Sequence, residues 1–338
     1  MKSVARIGLD IAKSTFQVHG VNAHGTVVMR KQLSRGEVLR FFANVPACLV
    51  GIEACAGSHY WARELQRLGH DARLMAGQFV AAYRKSGKND ANDAEAICEA
   101  VGRPNMRFVP IKGEEAQAVL AVHRARQLLI SERTALANQI RGLLGEFGIV
   151  IPAGLARLRH ALAQIGVGHR TLPVLAQETV GELHDRLRLL DACISQYDRK
   201  IEVIARASEP ARRLMRVEGI GPVTSTALVA SVGNARAFTN SRQFAAWLGL
   251  TPSQYSSGGR SRLGHISKRG NVDLRTLLIH GARSVLQFTS KKTDRKSIWV
   301  EALKARSGIN IAAVALAAKQ ARIIWALLAR GTEYRPAT

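Results

Sequence analysis

A seven-residue repeat of apolar side chains between residues 183 and 204 restricts the fold of this chain more than any other feature. The apolar positions alternate steps of four and three, at Leu183, Leu187, Leu190, Ile194, Tyr197, Ile201 and Ile204. This spacing places one apolar stripe along a helix of about three heptads. A second helical pattern covers residues 113–148, with its stripe at Leu129, Leu136, Ile140, Leu143 and Phe147. The pair predicts either an antiparallel coiled-coil arm or the core of a helical bundle.

The residues before this helix pair predict an α/β domain. Apolar runs bounded by turn residues predict strands at 4–9, 16–21, 26–29, 47–52 and 73–75, and helices at 36–45, 58–68 and 92–101. Three strands in succession, followed by alternating helix and strand, are the order of a ribonuclease H-like sheet, and many other α/β folds begin in the same way. Residues 211–338 read as mainly helical and basic. We therefore predict an N-terminal domain at 1–110, a connector at 111–208 and a C-terminal domain at 209–338.

The charge of the chain is high and unevenly distributed. The 338 residues include 49 Lys and Arg but only 25 Asp and Glu, a net charge of +24. Residues 206–338 carry +16 of this excess, against +6 for residues 1–110 and +2 for residues 111–205. Such asymmetry predicts a dedicated surface for a polyanion in the last third. Nucleic acid is the most common such partner, and a membrane surface is the alternative.

Cysteine spacing and hydropathy exclude several other classes of protein. Cys48, Cys55, Cys98 and Cys193 form no CxxC pair, which indicates free thiols in a reducing compartment rather than a zinc site. The apolar stretch at residues 309–318 ends at Lys319 and is too short to span a bilayer. We therefore expect a cytoplasmic protein without a membrane segment.

Four carboxylates stand at positions suited to binding a hard cation. Asp10 and Glu53 each follow an apolar strand, and Asp90 and Asp93 share one face at the start of a helix. Oxygen ligands of this kind bind Mg²⁺, which activates nucleophiles in phosphoryl transfer. The alternative for Asp90 or Asp93 alone is a helix N-cap, and for Asp10 a turn or cap.

Two C-terminal motifs predict contact with phosphate. Gly219 and Gly221 precede Pro222 in a tight turn before an Ala-rich helix, a pattern that resembles a helix-hairpin-helix DNA-binding module. The alternative there is a turn with no ligand.

The second motif is a long loop at residues 251–271. It contains five serines, no acid and four basic residues, Arg260, Arg262, Lys268 and Arg269. Ser257, before two glycines, could be a nucleophile if a metal or positive charge assists it, and a flexible solvated loop is the alternative.

Taken in order, these motifs resemble the transposases of the insertion sequence 110 family, relatives of the pilin-gene DNA invertases. The resemblance covers nearly the whole chain. It rests on residues 7–13, Glu53 with Gly57, and residues 88–94, 219–222, 248–252, 257–259, 266–271 and 310–328.

The resemblance implies a RuvC-like N-terminal domain whose metal site matches Asp10, Glu53, Asp90 and Asp93. It also implies a coiled-coil connector and a C-terminal domain in which a serine forms a phosphoserine link to DNA. Ser257 is the best match, and the adjacent Ser256 is the alternative. Donor and target DNA, a structured guide RNA in some members, and a homodimer or homotetramer are the implied partners.

The sequence leaves two other functions open. One is a RuvC-like, structure-specific nuclease that uses metal-activated water and forms no covalent intermediate. The other is a nucleic-acid-binding protein without catalysis. The serine-rich loop distinguishes the transposase from the nuclease, and the four acids distinguish both enzymes from the binding protein.

Overall fold

The structure is a computed structural model that describes residues 4–85, 89–164 and 172–335. Lys88, part of the motif at residues 88–94, lies outside the described residues. The chain forms two compact units, Met1–Glu114 and Glu115–Thr338. The first is α/β and the second mainly helical, which confirms the predicted succession of fold classes. The boundaries of a separate connector stay a prediction.

The first unit is built on one mixed six-stranded sheet. Its order is β3-β2-β1-β4-β5-β6, in which β1, β4 and β5 are parallel and the other neighbours are antiparallel. The strands are β1 (Arg6–Ile11), β2 (Thr15–Val21), β3 (Val27–Ser34), β4 (Leu49–Glu53), β5 (Asp71–Met75) and β6 (Phe108–Val109). The central strands are nearly continuous apolar runs because both of their faces are covered.

Four helices belong to this unit: α1 (Val38–Ala43), α2 (Ser58–Arg67), α3 (Gly77–Val80) and α4 (Asp90–Val101). All five predicted strands and all three predicted helices are present, and each begins within two residues of the expected position. The short elements β6 and α3 were not predicted, since two to four residues carry no readable periodicity.

Helix α4 lies directly on the backbone of the two central strands. A Cβ atom at Gly8 would come within 2.1 Å of the Ala94 carbonyl oxygen, and one at Gly51 within 2.6 Å of Val101 Cβ. Only glycine permits this approach. The two glycines therefore determine how closely α4 packs against β1 and β4.

The second unit begins with two long helices that pair in opposite directions. They are α5 (Glu114–Glu146) and α7 (Val174–Ala207). Arg126 Nε donates to Asp198 Oδ1 at 2.6 Å, and Arg133 Nη1 donates to Asp191 Oδ1 at 3.1 Å. From the first ion pair to the second, the residue number rises by seven on α5 and falls by seven on α7. The two helices are therefore antiparallel with a constant register.

Of the two arrangements that the sequence predicts for this pair, the structure has features of the helical bundle. A third helix, α6 (Leu155–Gln164), packs Leu158 and Leu162 into the same apolar cluster. The predicted stripe of α7 is buried at four of its seven positions: Leu187, Leu190, Ile194 and Ile201. At the end of α5 the register differs, because Leu144 is buried whereas Phe147, one residue beyond the helix, is 44% exposed. An exposed aromatic at the end of a helix can imitate the periodicity of a core position.

The rest of this unit is a helical cluster with one β-hairpin. Its helices are α8 (Glu209–Met215), α9 (Pro222–Val232), α10 (Ser241–Trp247), α11 (Val272–Leu286), α12 (Arg295–Ser307) and α13 (Ile309–Arg330), and its strands are β7 (Pro252–Ser257) and β8 (Arg260–Ile266). Helix α13 is at the centre of this core, with eight buried residues.

Helix α13 extends beyond the predicted apolar stretch at residues 309–318. With 22 residues it is long and apolar enough, by length and composition, to cross a membrane, and it is the only such helix among the described residues. It packs against α10, α11 and α12. Burial in this core accounts for its apolar composition.

The substitution Gly8→Ala tests the contact between α4 and β1. The added methyl group would overlap the Ala94 carbonyl and force α4 away from the sheet. We expect a loss of about 2–3 kcal/mol in the free energy of unfolding, measured by urea denaturation. Gly36→Ala is the control, because a Cβ there meets no atom within 4 Å. Equal stability of the two variants would contradict the proposed packing constraint.

Candidate active site and nucleic-acid interface

The first candidate site is the edge of the sheet where β1 and β4 end. Leu9 pairs with Ile52 across these parallel strands, so Asp10 and Glu53 follow side by side. Side chains alternate along a strand, and Gly8 and Gly51 face α4. Asp10 and Glu53, each two residues further on, therefore face the same side as α4.

Helix α4 brings the other two carboxylates to this edge. Asp90 and Asp93 lie in its first turn, and the Asn89 side chain caps it by accepting from Asn92 N at 2.8 Å. The alternative role of Asp90 or Asp93 as N-cap is therefore wrong: the cap is the residue before them. The carboxylates of Asp90 and Asp93 are therefore not used as helix caps and can contact other groups.

The four acids lie close enough to repel one another. Burial, and then repulsion by Asp93, Asp90 and Glu53, raises the pKa of Asp10 to about 6. Gly77 makes room for the fourth acid, because a Cβ there would lie 2.4 Å from Glu53 Oε1. A positive charge placed among these groups would relieve the repulsion.

The four carboxylates are of the type that binds a hard cation, although their oxygens do not converge on a single position. Within the described ranges, no three acidic, imidazole or thiol side chains are grouped closely enough to hold one ion. Arg84 Nε donates to Asp93 Oδ1 at 2.5 Å. One of the four candidate metal ligands is therefore paired with a cationic side chain. Sequence reasoning missed Arg84, since nothing in its neighbourhood distinguishes it from other surface arginines.

The second candidate site is the β7–β8 hairpin. The sequence suggested a long loop at residues 251–271, but residues 252–266 form two antiparallel strands. Gly258 and Gly259 form the two-residue turn with φ of +55° and +77°, as a type I′ turn requires. The Gly258-Gly259 pair between two segments of similar length is the sequence signal that could have predicted this hairpin.

The register of the hairpin separates the two candidate serines. Ser257 is opposite Arg260 and Tyr255 is opposite Arg262, so these four side chains share one face. We call this the arginine face. Ser256 lies on the other face, where Gln254 Nε2 donates to its hydroxyl oxygen at 2.7 Å.

The hairpin rests on a base of closely packed backbone. A Cβ at Gly249 would lie 2.1 Å from the Arg269 carbonyl oxygen, and one at Gly270 would lie 1.8 Å from the Trp247 carbonyl oxygen. The buried Arg275 guanidinium donates from Nη1 to the carbonyls of Leu248 and Arg269, both at 3.1 Å. Arg275 thus ties the two ends of the hairpin together.

The remaining predicted phosphate contacts lie beside this base or in the α8–α9 turn. Lys268 and Arg269 are exposed, and Lys268 has a φ of +53°, the only positive value for a non-glycine residue in the part of the chain described. In the turn, Gly219 packs against Gly281 of α11 and Gly221 is exposed at the start of α9, which has no side-chain cap.

The acid in that turn has a structural role. Glu218 accepts from Lys292 Nζ at 2.7 Å and from Lys296, and these lysines lower its pKa. Its carbonyl oxygen accepts from Gln320 Nε2 at 2.7 Å. The turn is therefore held firmly against the helical core.

A cluster of acids at a sheet edge and an exposed basic hairpin are typical of enzymes that process nucleic acids. Comparison with known proteins agrees. Residues 211–297 match the family model described as "Transposase IS116/IS110/IS902 family", and residues 7–149 match a model described as "Transposase".

Full-length relatives extend this agreement to almost the entire chain. A protein of Pseudomonas aeruginosa named "Probable family 20 transposase" is 52% identical over 99% of each chain. The transposase for insertion sequence element IS1111A of Coxiella burnetii is 42% identical, over 99% of this chain and 92% of the relative. The transposase for IS1328 of Yersinia enterocolitica is 40% identical over 99% of each. The chain belongs to the IS116/IS110/IS902 family of insertion-sequence transposases.

The substitution Arg275→Met tests the anchoring of the hairpin. Loss of both hydrogen bonds should loosen the base, so that amide hydrogens at residues 249–251 and 266–269 exchange about tenfold faster. Hydrogen exchange with mass spectrometry measures this change. Arg283→Met on the same helix is the control, because that guanidinium contacts only the exposed Asn310 side chain in the described structure. Unchanged exchange in Arg275→Met would show that glycine packing alone holds the base.

Proposed function

We propose that this transposase cleaves and rejoins DNA through a covalent phosphoserine intermediate formed by Ser257. The observation that carries the proposal is the arginine face of the hairpin, where Ser257 lies opposite Arg260. Arginine binds phosphate oxygens through several donors at once, so a phosphodiester held there lies beside the serine hydroxyl. Ser256, on the other face, lacks this cationic neighbour.

The reaction exchanges one phosphodiester for another. Ser257 Oγ attacks the phosphorus, the bond from phosphorus to one deoxyribose oxygen breaks, and that oxygen leaves with a proton. Attack by a second deoxyribose hydroxyl on the phosphoserine then releases the serine. The number of phosphoester bonds is unchanged throughout, which suits strand exchange without an external energy source. Arg260 and Arg262 would stabilise the charge that develops on the phosphate oxygens.

We further propose that the sheet-edge acids hold Mg²⁺ for the same reaction. The strand order β3-β2-β1-β4-β5 and the position of the acids support a RuvC-like, ribonuclease H-fold domain. Asp10, Glu53, Asp90 and Asp93 would supply the oxygen ligands, with Arg84 displaced from Asp93. The metal would lower the barrier to removing the serine proton and stabilise the leaving oxygen.

The resemblance to the family supports the proposed partners. Donor and target DNA would bind the basic C-terminal residues, including Lys268, Arg269 and the turn at Gly219 and Gly221. A structured guide RNA that pairs with both DNAs, a homodimer or homotetramer, and a location in the prokaryotic cytoplasm at the nucleoid complete the proposal. Sequencing the RNA that co-purifies with the protein tests the guide.

The substitution Ser257→Ala should abolish the covalent protein–DNA adduct. The adduct is measured by denaturing gel after incubation with labelled DNA of the element's ends and Mg²⁺. Binding of the same DNA should change less than twofold, since the hydroxyl is one small group among many phosphate contacts. Ser256→Ala is the matched control and should retain the adduct. An adduct that persists in Ser257→Ala and disappears in Ser256→Ala would reverse the assignment.

The same assay distinguishes the nuclease alternative. Strand cleavage that continues in Ser257→Ala without any adduct would indicate attack by water. The proposed transposition chemistry would then be wrong, while the family membership would stand.

The double substitution Asp10→Asn, Asp93→Asn tests the metal site without relying on activity. Addition of Mg²⁺ should raise the melting temperature of the wild-type protein by about 3 °C or more, because a ligand of the folded state stabilises it. The double variant should lose this increase and also lose adduct formation. Asp71→Asn, an exposed acid at the opposite end of β5, is the control. An equal Mg²⁺ effect in the double variant and the wild type would exclude this site.

A further inference from the structure

We infer that Tyr255 is a stacking platform for an unpaired nucleobase in the DNA strand that Ser257 attacks. The inference rests on the proposed role of Ser257. It adds the kind of DNA that the hairpin accepts: a strand with a base unstacked beside the attacked phosphodiester. Four features of the hairpin lead to it.

The first feature is position. Tyr255 and Ser257 are two residues apart on β7 and share the arginine face, with Arg262 opposite Tyr255 and Arg260 opposite Ser257. Two residues along a strand span about 7 Å. This distance lets one nucleotide place its phosphate at Ser257 and its base, or the base of its neighbour, on the tyrosine ring.

The second feature is exposure. The Tyr255 side chain is 74% exposed and belongs to no apolar cluster of the described residues. Its ring lies against no other aromatic ring and no cation in the structure as described. Packing of the unit therefore does not explain an aromatic residue here.

The third feature is the space beside the ring. Gly264 lies across from Ser253, and a Cβ at position 264 would reach 2.7 Å from Ser253 Oγ and 4.0 Å from Tyr255 Cε2. Position 264 therefore places only backbone, and no side chain, beside this edge of the ring. A base that stacks on the ring face meets no side chain from this position.

The fourth feature is the charge around the ring. In the described chain, the side chains of Arg260 and Arg262 make no ion pair and no hydrogen bond, so their guanidinium donors are available to phosphate. Phosphate contacts alone would suit any DNA, including an intact duplex. An exposed ring among them adds an attraction that only an unstacked base can satisfy, because in a duplex the two faces of each base are covered by the bases stacked above and below it.

Binding measurements test this inference separately from catalysis. The full-length chain carrying Ser257→Ala is titrated, by fluorescence anisotropy at one salt concentration, into labelled 12-residue oligo(dT) and a labelled 20-base-pair duplex. Adding Tyr255→Ala should weaken oligo(dT) binding at least about fivefold and duplex binding less than twofold. Adding Tyr255→Phe, which keeps the ring, should restore oligo(dT) binding to within twofold.

Leu263→Ala is the matched control. Leu263 is 65% exposed on the opposite face of the same hairpin, so its loss should affect neither probe. Circular dichroism melting of each variant verifies that the fold is retained, and Tyr255→Phe keeps the test valid if Tyr255→Ala is less stable.

Several results would overturn the inference. These are equal losses for oligo(dT) and duplex, no loss in Tyr255→Ala, or the same loss in Leu263→Ala. A loss for oligo(rU) that exceeds the loss for oligo(dT) would assign the ring to RNA instead of the attacked DNA strand. Failure of the proposed nucleophile has a different signature, since an adduct that persists in Ser257→Ala leaves these binding ratios unchanged.

Discussion

The contact between the bare backbone of Gly8 and the carbonyl of Ala94 is the constraint on which the N-terminal unit depends. It fixes the height of α4 above the sheet and, with it, the position of the first turn of α4. Two of the four acids belong to that turn, and the other two extend the strands that it covers. A larger residue at position 8 would therefore alter the electrostatics of the cluster without touching any acid.

In the C-terminal unit, the orientation of the β7–β8 hairpin is fixed by a different set of contacts. A two-stranded hairpin has little core of its own, so its orientation depends on its base. Backbone packing at Gly249 and Gly270 and the buried guanidinium of Arg275 provide that base. In both units, glycine packing against one helix fixes the position of the polar side chains of the candidate site.

Much of this organisation could be predicted from the sequence, and the exceptions have physical reasons. Long periodic segments such as α7 and the strands of the N-terminal sheet were predicted because burial imposes a pattern on many residues. The sequence predicts a loop in place of the β7–β8 hairpin because the two strands are exposed on both faces and carry no apolar alternation. Phe147 was assigned to the wrong register because periodicity counts apolar residues without knowing which of them meet a partner.

The candidate site residues also divide into those that the sequence predicts and those that it does not. Asp10 and Glu53 are predicted because carboxylates at the ends of apolar strands are unusual, and Asp90 and Asp93 because their spacing places both on one face at the start of a helix. Arg84, Arg275 and the facing of Ser257 away from Ser256 were not predictable, since they depend on how separate elements pair with one another, which the periodicity of a single element does not encode. The side of the hairpin on which a serine lies is a property of register, which only the turn defines.

The antiparallel register of α5 and α7 has a consequence for how this family can vary. Because Arg126 pairs with Asp198 and Arg133 with Asp191, a change in the length of one helix must be matched in the other. An insertion of seven residues at matched positions in both helices would preserve these two pairings and lengthen the helix pair by about 10 Å. A deletion in one helix alone would rotate its apolar stripe away from its partner. Whole, paired heptads are therefore the length changes that this helix pair accommodates, which makes it an adjustable spacer for engineered variants.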